Sequence, residues 1–287
     1  MFTSEKPPPK YSEFIYKRLS RIYPLHALTF IIWCFFFFSA WGNTLQDKLN
    51  SGIANILLIQ AFFSGPLYNL GYNAVSWTIS VEMFFYLLFP FLRDPKVLGL
   101  LLFIYFLVGL NLSTTALQAI NEAVPDFFFF NPIARISEFM IGILAYEVFK
   151  KLPSLRVATL FEGLAIVLLL VVVREKAAIS EQFLLPSLGL VFALTIVIFA
   201  KQQGLVSKAL AQPLPVILGE ASYALYLIHH MWFRIVQDLL GKVIVGWELL
   251  LIAVFSAIAL SILLHYAYER PLRTLLLKRK HYRSNLI

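Results

Sequence analysis

The chain has 287 residues, of which 60% are hydrophobic and only 14% charged, with 27 Phe against 24 Lys and Arg together. Soluble domains carry about 25% charged residues, and a single core could not hide this much apolar side chain. The composition excludes an ordinary soluble enzyme, a disordered chain and a disulfide scaffold, and it points to a membrane protein.

The N-terminal segment, Met-Phe-Thr-Ser-Glu-Lys-Pro-Pro-Pro-Lys10, is polar and proline-rich, so no secretory leader is expected there. Long apolar stretches between breakers then predict about eight spans, at 22–40, 75–92, 97–111, 132–149, 157–173, 183–200, 216–238 and 246–268. A shorter piece, 53–63, contains Asn55 and Gln60 and reads as a re-entrant or interfacial helix. No repeat or second composition regime interrupts the chain. The expectation is one all-α, polytopic membrane bundle over 1–287, with a core at 21–273 and a basic cytoplasmic tail at 274–287.

Charge tests this layout independently. With a cytoplasmic N-terminus, only Lys48, Arg135, Arg174, Lys176, Arg234 and Lys242 of the 24 Lys and Arg fall outside the inner segments. Such alternation is what the positive-inside rule expects, and it places both termini in the cytoplasm. The net charge of +8 is thereby explained by basic inner loops, and no nucleic-acid partner is expected. Cys34 stands alone in the apolar run Ile31-Ile-Trp-Cys-Phe-Phe36, which excludes an intrachain disulfide and a thiolate metal site.

Ionisable groups inside spans are costly and usually face a cavity or a partner. Glu82 lies seven residues into one predicted helix; Arg135 and Glu138 lie three and six residues into another, where i, i+3 spacing lets them pair. His229, with His230 beside it, falls in the outer half of a third, so topology places all four groups at comparable depth. Arg135 and Glu138 also read as a buried salt bridge, and His229 as a hydrogen-bonded packing residue. Together they offer proton transfer and charge stabilisation. Arg18 and Arg21 project from one helical face below the membrane, a fork suited to phosphates or to membrane anchoring. His26 reads as interfacial, His265 as a snorkelling or capping residue, and Lys278-Arg279-Lys280 as a lipid-headgroup anchor. Neither a Gly-rich phosphate loop, a Gly-x-Ser-x-Gly elbow nor metal-ligand spacing is present, so no metal is expected.

Five segments in order resemble acyltransferase family 3, the integral-membrane enzymes that O-acylate bacterial surface sugars. They are Phe14-Ile-Tyr-Lys-Arg-Leu-Ser-Arg-Ile-Tyr-Pro24, Ser76-Trp-Thr-Ile-Ser-Val-Glu-Met-Phe-Phe-Tyr-Leu-Leu-Phe-Pro90 and Arg135-Ile-Ser-Glu-Phe-Met-Ile-Gly142. The last two are Leu218-Gly-Glu-Ala-Ser-Tyr-Ala-Leu-Tyr-Leu-Ile-His229 and Tyr268-Glu-Arg-Pro-Leu-Arg273.

The resemblance implies an acyl-CoA (acetyl-CoA) donor, which Arg18 and Arg21 would engage from the cytoplasmic face, with no other cofactor bound. It implies a glycan or lipid-linked sugar acceptor on the other side, contact with membrane lipids, and a bacterial inner-membrane location. Glu82, Arg135, Glu138 and His229 match the family's shared positions. The family's usual first pair of helices, with a basic residue and a His ten intervening residues later, has no counterpart here. Three readings follow: a chain short by about two helices, His229 or another group serving as base, or an inactive member. A transporter or flippase-like carrier gated by the buried ion pair is the rival outside the family.

Overall fold

The computed structural model describes residues 10–38, 44–92, 94–111, 116, 119–120, 122, 127–174 and 181–284. Lys6, Arg93 and Lys176, which enter the charge argument, and the expected end of the first span at 39–40 lie outside them. Among the described residues every regular element is helical. Helices satisfy their own backbone groups, which apolar surroundings require.

Two compact units partition the chain. The first comprises Met1–Gln60, Pro66–Leu87 and Ile217–Ile287; the second comprises Ala61–Gly65 and Leu88–Val216. In the first, α1 (Tyr11–Phe37) is followed by α2 (Leu45–Ile56), α3 (Pro66–Asn69) and α4 (Trp77–Leu88). In the second run α5 (Pro95–Asn111), α6 (Phe127–Phe130), α7 (Ile136–Lys151), α8 (Ala158–Arg174), α9 (Glu181–Ala200) and α10 (Leu205–Leu210). The chain then enters α11 (Pro213–Leu240), α12 (Trp247–Leu264), a π-turn (His265–Glu269) and α13 (Arg270–Ser284).

Among the described residues, two helical runs are long and apolar enough to cross a membrane: Tyr11–Phe37, 27 residues, and Trp247–Lys278, 32 residues. Several expected spans are shorter as helices. α4 occupies 12 residues, about 18 Å of rise against a hydrocarbon core of about 30 Å. It stops at Leu88 because Phe89 precedes Pro90, which disfavours helical backbone at the preceding residue. α7 begins at Ile136, with Arg135 at its N-cap rather than inside it.

Pro24, read as the entry to the first span, lies inside α1. The helix continues through it, and other elements contact the chain there: Tyr223 donates to Ile22 O at 2.8 Å and Tyr268 to Pro24 O at 3.3 Å. Ile22, Leu25, Leu58, Ile79, Ala224 and Leu227 form the core of this unit. The segment read as a helix at 53–63 is divided into the end of α2, a turn and a short 3-10 helix at Gln60–Phe62. A Thr44–Asp47 capping box starts α2. Beyond it, buried Asn55 and Gln60 donate to Ser76, at 2.9 Å to its Oγ and 3.0 Å to its carbonyl. Gly52 is required by close approach, since a Cβ there would meet the Tyr72 hydroxyl at 2.6 Å.

In the second unit, α9 packs against α7 and α8, and α5 against α7. The connection after α9 is tied to the connection after α7. Leu155 N donates to Gln203 Oε1 at 2.7 Å, and Lys201 Nζ donates to Phe149 O and Leu152 O.

The basic tail is helical as well, since α13 continues from the π-turn to Ser284. Pro271, which has no N–H to donate, coincides with the switch from α to π spacing.

Candidate active site

Arg18 and Arg21 leave α1 one turn apart. Arg18 is half-buried, with its guanidinium 4.8 Å from the Tyr86 ring centroid and 5.3 Å from that of Phe14. Arg21 is exposed. Glu82 sits on α4 one turn before Tyr86, whose hydroxyl donates to Glu82 Oε1. The charged neighbours acting on that hydroxyl are Glu82, Arg18 and Arg21. The structure therefore brings both expected donor-binding arginines and the expected α4 carboxylate into one electrostatic neighbourhood, with Tyr86 at its centre.

α11 supplies the next residues. Tyr226 meets Thr78 Oγ1 at 2.9 Å and donates to Val75 O at 3.2 Å, which sets the register of α11 on α4. One turn earlier on α11, the Tyr223 hydroxyl feels Glu82, Glu269 and Arg21. His229 lies six residues beyond Tyr223 on the same helix, about 9 Å of rise.

His229 lines an open groove of about 380 Å³ with Ser222, Tyr226 and Phe233 of α11 and Ala257 and Ile258 of α12. Its Nδ1 is 2.7 Å from Tyr226 O. A carbonyl only accepts, so Nδ1 carries a proton and Nε2 is the nitrogen left to exchange one with a ligand in the groove.

Arg135 and Glu138 belong to the second unit. Arg135 Nη2 donates to Glu138 Oε2 at 2.8 Å and to Oε1 at 3.1 Å, while Nη1 donates to Phe129 O at 3.1 Å. Their side chains are 19% and 24% exposed. Glu138 stands in the first turn of α7, where a negative charge suits the helix dipole. The pair anticipated from spacing is present.

Two residues escaped the sequence reading. Tyr86 gave no signal beyond one aromatic in an aromatic run. Glu162 is wholly buried on α8 and accepts from Val206 N at 2.9 Å and Ser207 N at 3.3 Å; a carboxylate inside an apolar run was the available clue. His26, expected at an interface, is only 1% exposed, with Nε2 3.0 Å from Asn55 O. His265, read as snorkelling or capping, lies in the π-turn with Nδ1 3.0 Å from Glu269 Oε2. Among the described residues no group of three or more His, Cys, Asp or Glu could hold a metal ion.

Every regular element among the described residues is helical, which defines a helical-bundle class of protein with two helices long and apolar enough to cross a membrane. The family described as Acyltransferase domain, acyltransferase family 3, matches residues 1–266, and the chain belongs to it. "Acyltransferase MdmB" of Streptomyces mycarofaciens is 28% identical, covering 92% of this chain and 75% of that relative. "Putative acetyltransferase ORF330" of Acidianus two-tailed virus is 27% identical, covering 91% of this chain and 72% of that relative. No solved structure matches the chain significantly.

Proposed function

We propose that this protein is a multi-pass membrane acyltransferase that moves an acyl group, acetyl first of all, from acyl-CoA to a hydroxyl of a cell-surface or exported glycan or its lipid-linked precursor. The observation that carries the reading is family membership over residues 1–266. The arrangement of Arg18, Tyr86 and Glu82 supports it. The Lys and Arg pattern supports eight crossings of a bacterial cytoplasmic membrane with both termini inside.

The chemistry assigns the parts. Arg18 and Arg21 grip donor phosphates through guanidinium N–H groups. A sugar hydroxyl is a weak nucleophile near neutral pH, so a base must take its proton as the oxygen attacks the thioester carbonyl. The C–S bond then breaks, and the departing CoA sulfur is protonated. His229 Nε2 is the candidate base, and Glu82 orients the acceptor hydroxyl. Arg135, held by Glu138, carries a guanidinium of the kind that can stabilise negative charge developing on an oxygen.

The test is deletion of the gene followed by mass analysis of surface glycans, with complementation by the wild-type chain and by Glu82→Gln. The reading expects loss of an acyl mass on deletion, restoration by wild type and none by Glu82→Gln. An unchanged glycan on deletion refutes acyl transfer to glycans; restoration by Glu82→Gln refutes the role of that carboxylate.

A further inference from the structure

We infer that Tyr86 is a positioning residue serving two partners at once: its hydroxyl orients Glu82, and its ring face holds Arg18 ready for the donor. The inference rests on the acyl-transfer reading above and deepens it.

The hydroxyl side is set by helix geometry. Tyr86 stands four residues after Glu82 on α4, so the two side chains share a face and the phenol reaches back to Oε1. Among the described residues this is the one hydrogen bond Glu82 receives, and Oε2 is left to accept from another group. A carboxylate on two free torsions would otherwise sample several rotamers. The phenol bond selects one.

The ring side is set by packing between α1 and α4. Phe14 and Tyr86 meet edge to face, with centroids 6.1 Å apart and planes at 88°. The Arg18 guanidinium lies over both rings. Cation–π contact fixes a guanidinium without using its N–H donors. Arg18 makes no hydrogen bond or ion pair among the described residues, so its donor edges remain available to a phosphate. An acid partner in place of the rings would hold the arginine too, but would consume those donors and cancel the charge.

Phe and Leu at 86 separate the two roles. Tyr86→Phe keeps the ring over which Arg18 lies and removes the bond to Glu82. Tyr86→Leu removes both. The experiment uses the full chain in membranes of the deletion strain, with acetyl-CoA consumption giving kcat and KM. Equilibrium binding of CoA to the purified full chain is measured alongside. Tyr86→Phe is expected to lower kcat about 10- to 100-fold, the range for one hydrogen bond to a charged group. Its KM for acetyl-CoA and its CoA affinity stay within about twofold, as a retained ring predicts. Tyr86→Leu should show the same fall in kcat and, in addition, CoA binding weaker by about two- to fivefold. Adding Tyr86→Phe to Glu82→Gln should cost nothing further, because the tyrosine acts through the carboxylate.

Wild-type kcat in Tyr86→Phe, or losses that add in the double variant, overturns the positioning role while leaving acyl transfer standing. A wild-type chain that neither binds CoA nor consumes acetyl-CoA overturns the acyl-transfer reading, and the role of Tyr86 with it.

Discussion

Glu162 occupies the space that any side chain at position 204 would need: a Cβ built on Gly204 would fall 2.1 Å from Glu162 Oε2. The carboxylate caps the backbone N–H groups of Val206 and Ser207, and Leu205 N bonds Thr159 Oγ1 at 3.2 Å nearby. α8 thereby holds the start of α10 by charge-assisted hydrogen bonds in a site closed to solvent. Gly204→Ala must displace the carboxylate and should cost about 1–3 kcal/mol. Glu162→Ala, which orphans the N–H groups of partly buried Val206 and buried Ser207, should cost about 1–3 kcal/mol. The double variant should cost less than the sum, because deleting the carboxylate makes room for the methyl group. Unfolding midpoints in detergent measure all three, and Gly204→Ala melting with wild type would contradict the geometry.

A second buried network lies in the first unit. His26 Nε2 donates to Asn55 O, and Asn55 Nδ2 donates to Ser76 Oγ at 2.9 Å and Gly71 O at 3.3 Å. Ser76 Oγ in turn donates to Asn73 O at 2.7 Å. The loop that supplies these groups carries two non-glycine residues in the left-handed region, Leu58 and Tyr72, each at φ 59°. Strained backbone persists only where surrounding contacts over-determine it. His26→Leu removes one donor from the Asn55 carbonyl, which keeps Leu58 N at 3.1 Å, and should cost about 0.5–1.5 kcal/mol in the same unfolding assay. Asn55→Leu leaves the Gly71 carbonyl unmatched and should cost about 1–3 kcal/mol.

For Arg135 and Glu138, a charge swap separates structure from chemistry. Arg135→Glu with Glu138→Arg rebuilds an ion pair, yet it puts a cation in the first turn of α7 and removes the Arg135 bond to Phe129 O. The reversed dipole interaction costs about 0.3–1 kcal/mol. Partial solvent exposure limits what the pair itself contributes. The swap is therefore expected to fold and to recover most of the stability that either single alanine variant loses. If Arg135 stabilises developing charge, acyl transfer stays at the level of Arg135→Ala. Full recovery of glycan acylation by the swap would assign the pair a structural role alone.

The eight-span topology can be read out chemically. On a Cys34→Ala background, single cysteines replace Lys48, Arg174 and Lys242 on the expected outer side and Lys151, Lys208 and Lys278 on the expected inner side. In intact cells, a membrane-impermeant maleimide should label the first three and spare the others until the membrane is opened. Labelling of Lys208Cys in sealed cells would break the alternation.

The helical class was legible from composition, because apolar surroundings penalise unpaired backbone groups and leave few alternatives to helices. The Arg135–Glu138 pair was legible too, since both residues lie on one helical turn and helix geometry is local. Helix ends were read less well. Pro90 closes α4 as its chemistry suggests, whereas Pro24 lies inside α1, where tyrosines 201 and 244 positions along the chain donate to Ile22 O and Pro24 O.

Periodicity and spacing carry no information on which helices meet, so the remaining partnerships came from packing. Hydropathy marked 53–63 as unusual without revealing that Asn55 and Gln60 turn inward onto Ser76. Glu162 is one carboxylate in an apolar run until α8 meets the segment after α9. Arg18 and Glu82 were each singled out from sequence, one as a cation below the membrane and one as an acid within it. That they share Tyr86 depends on α1 lying against α4, a contact made by side-chain shape between segments almost seventy residues apart.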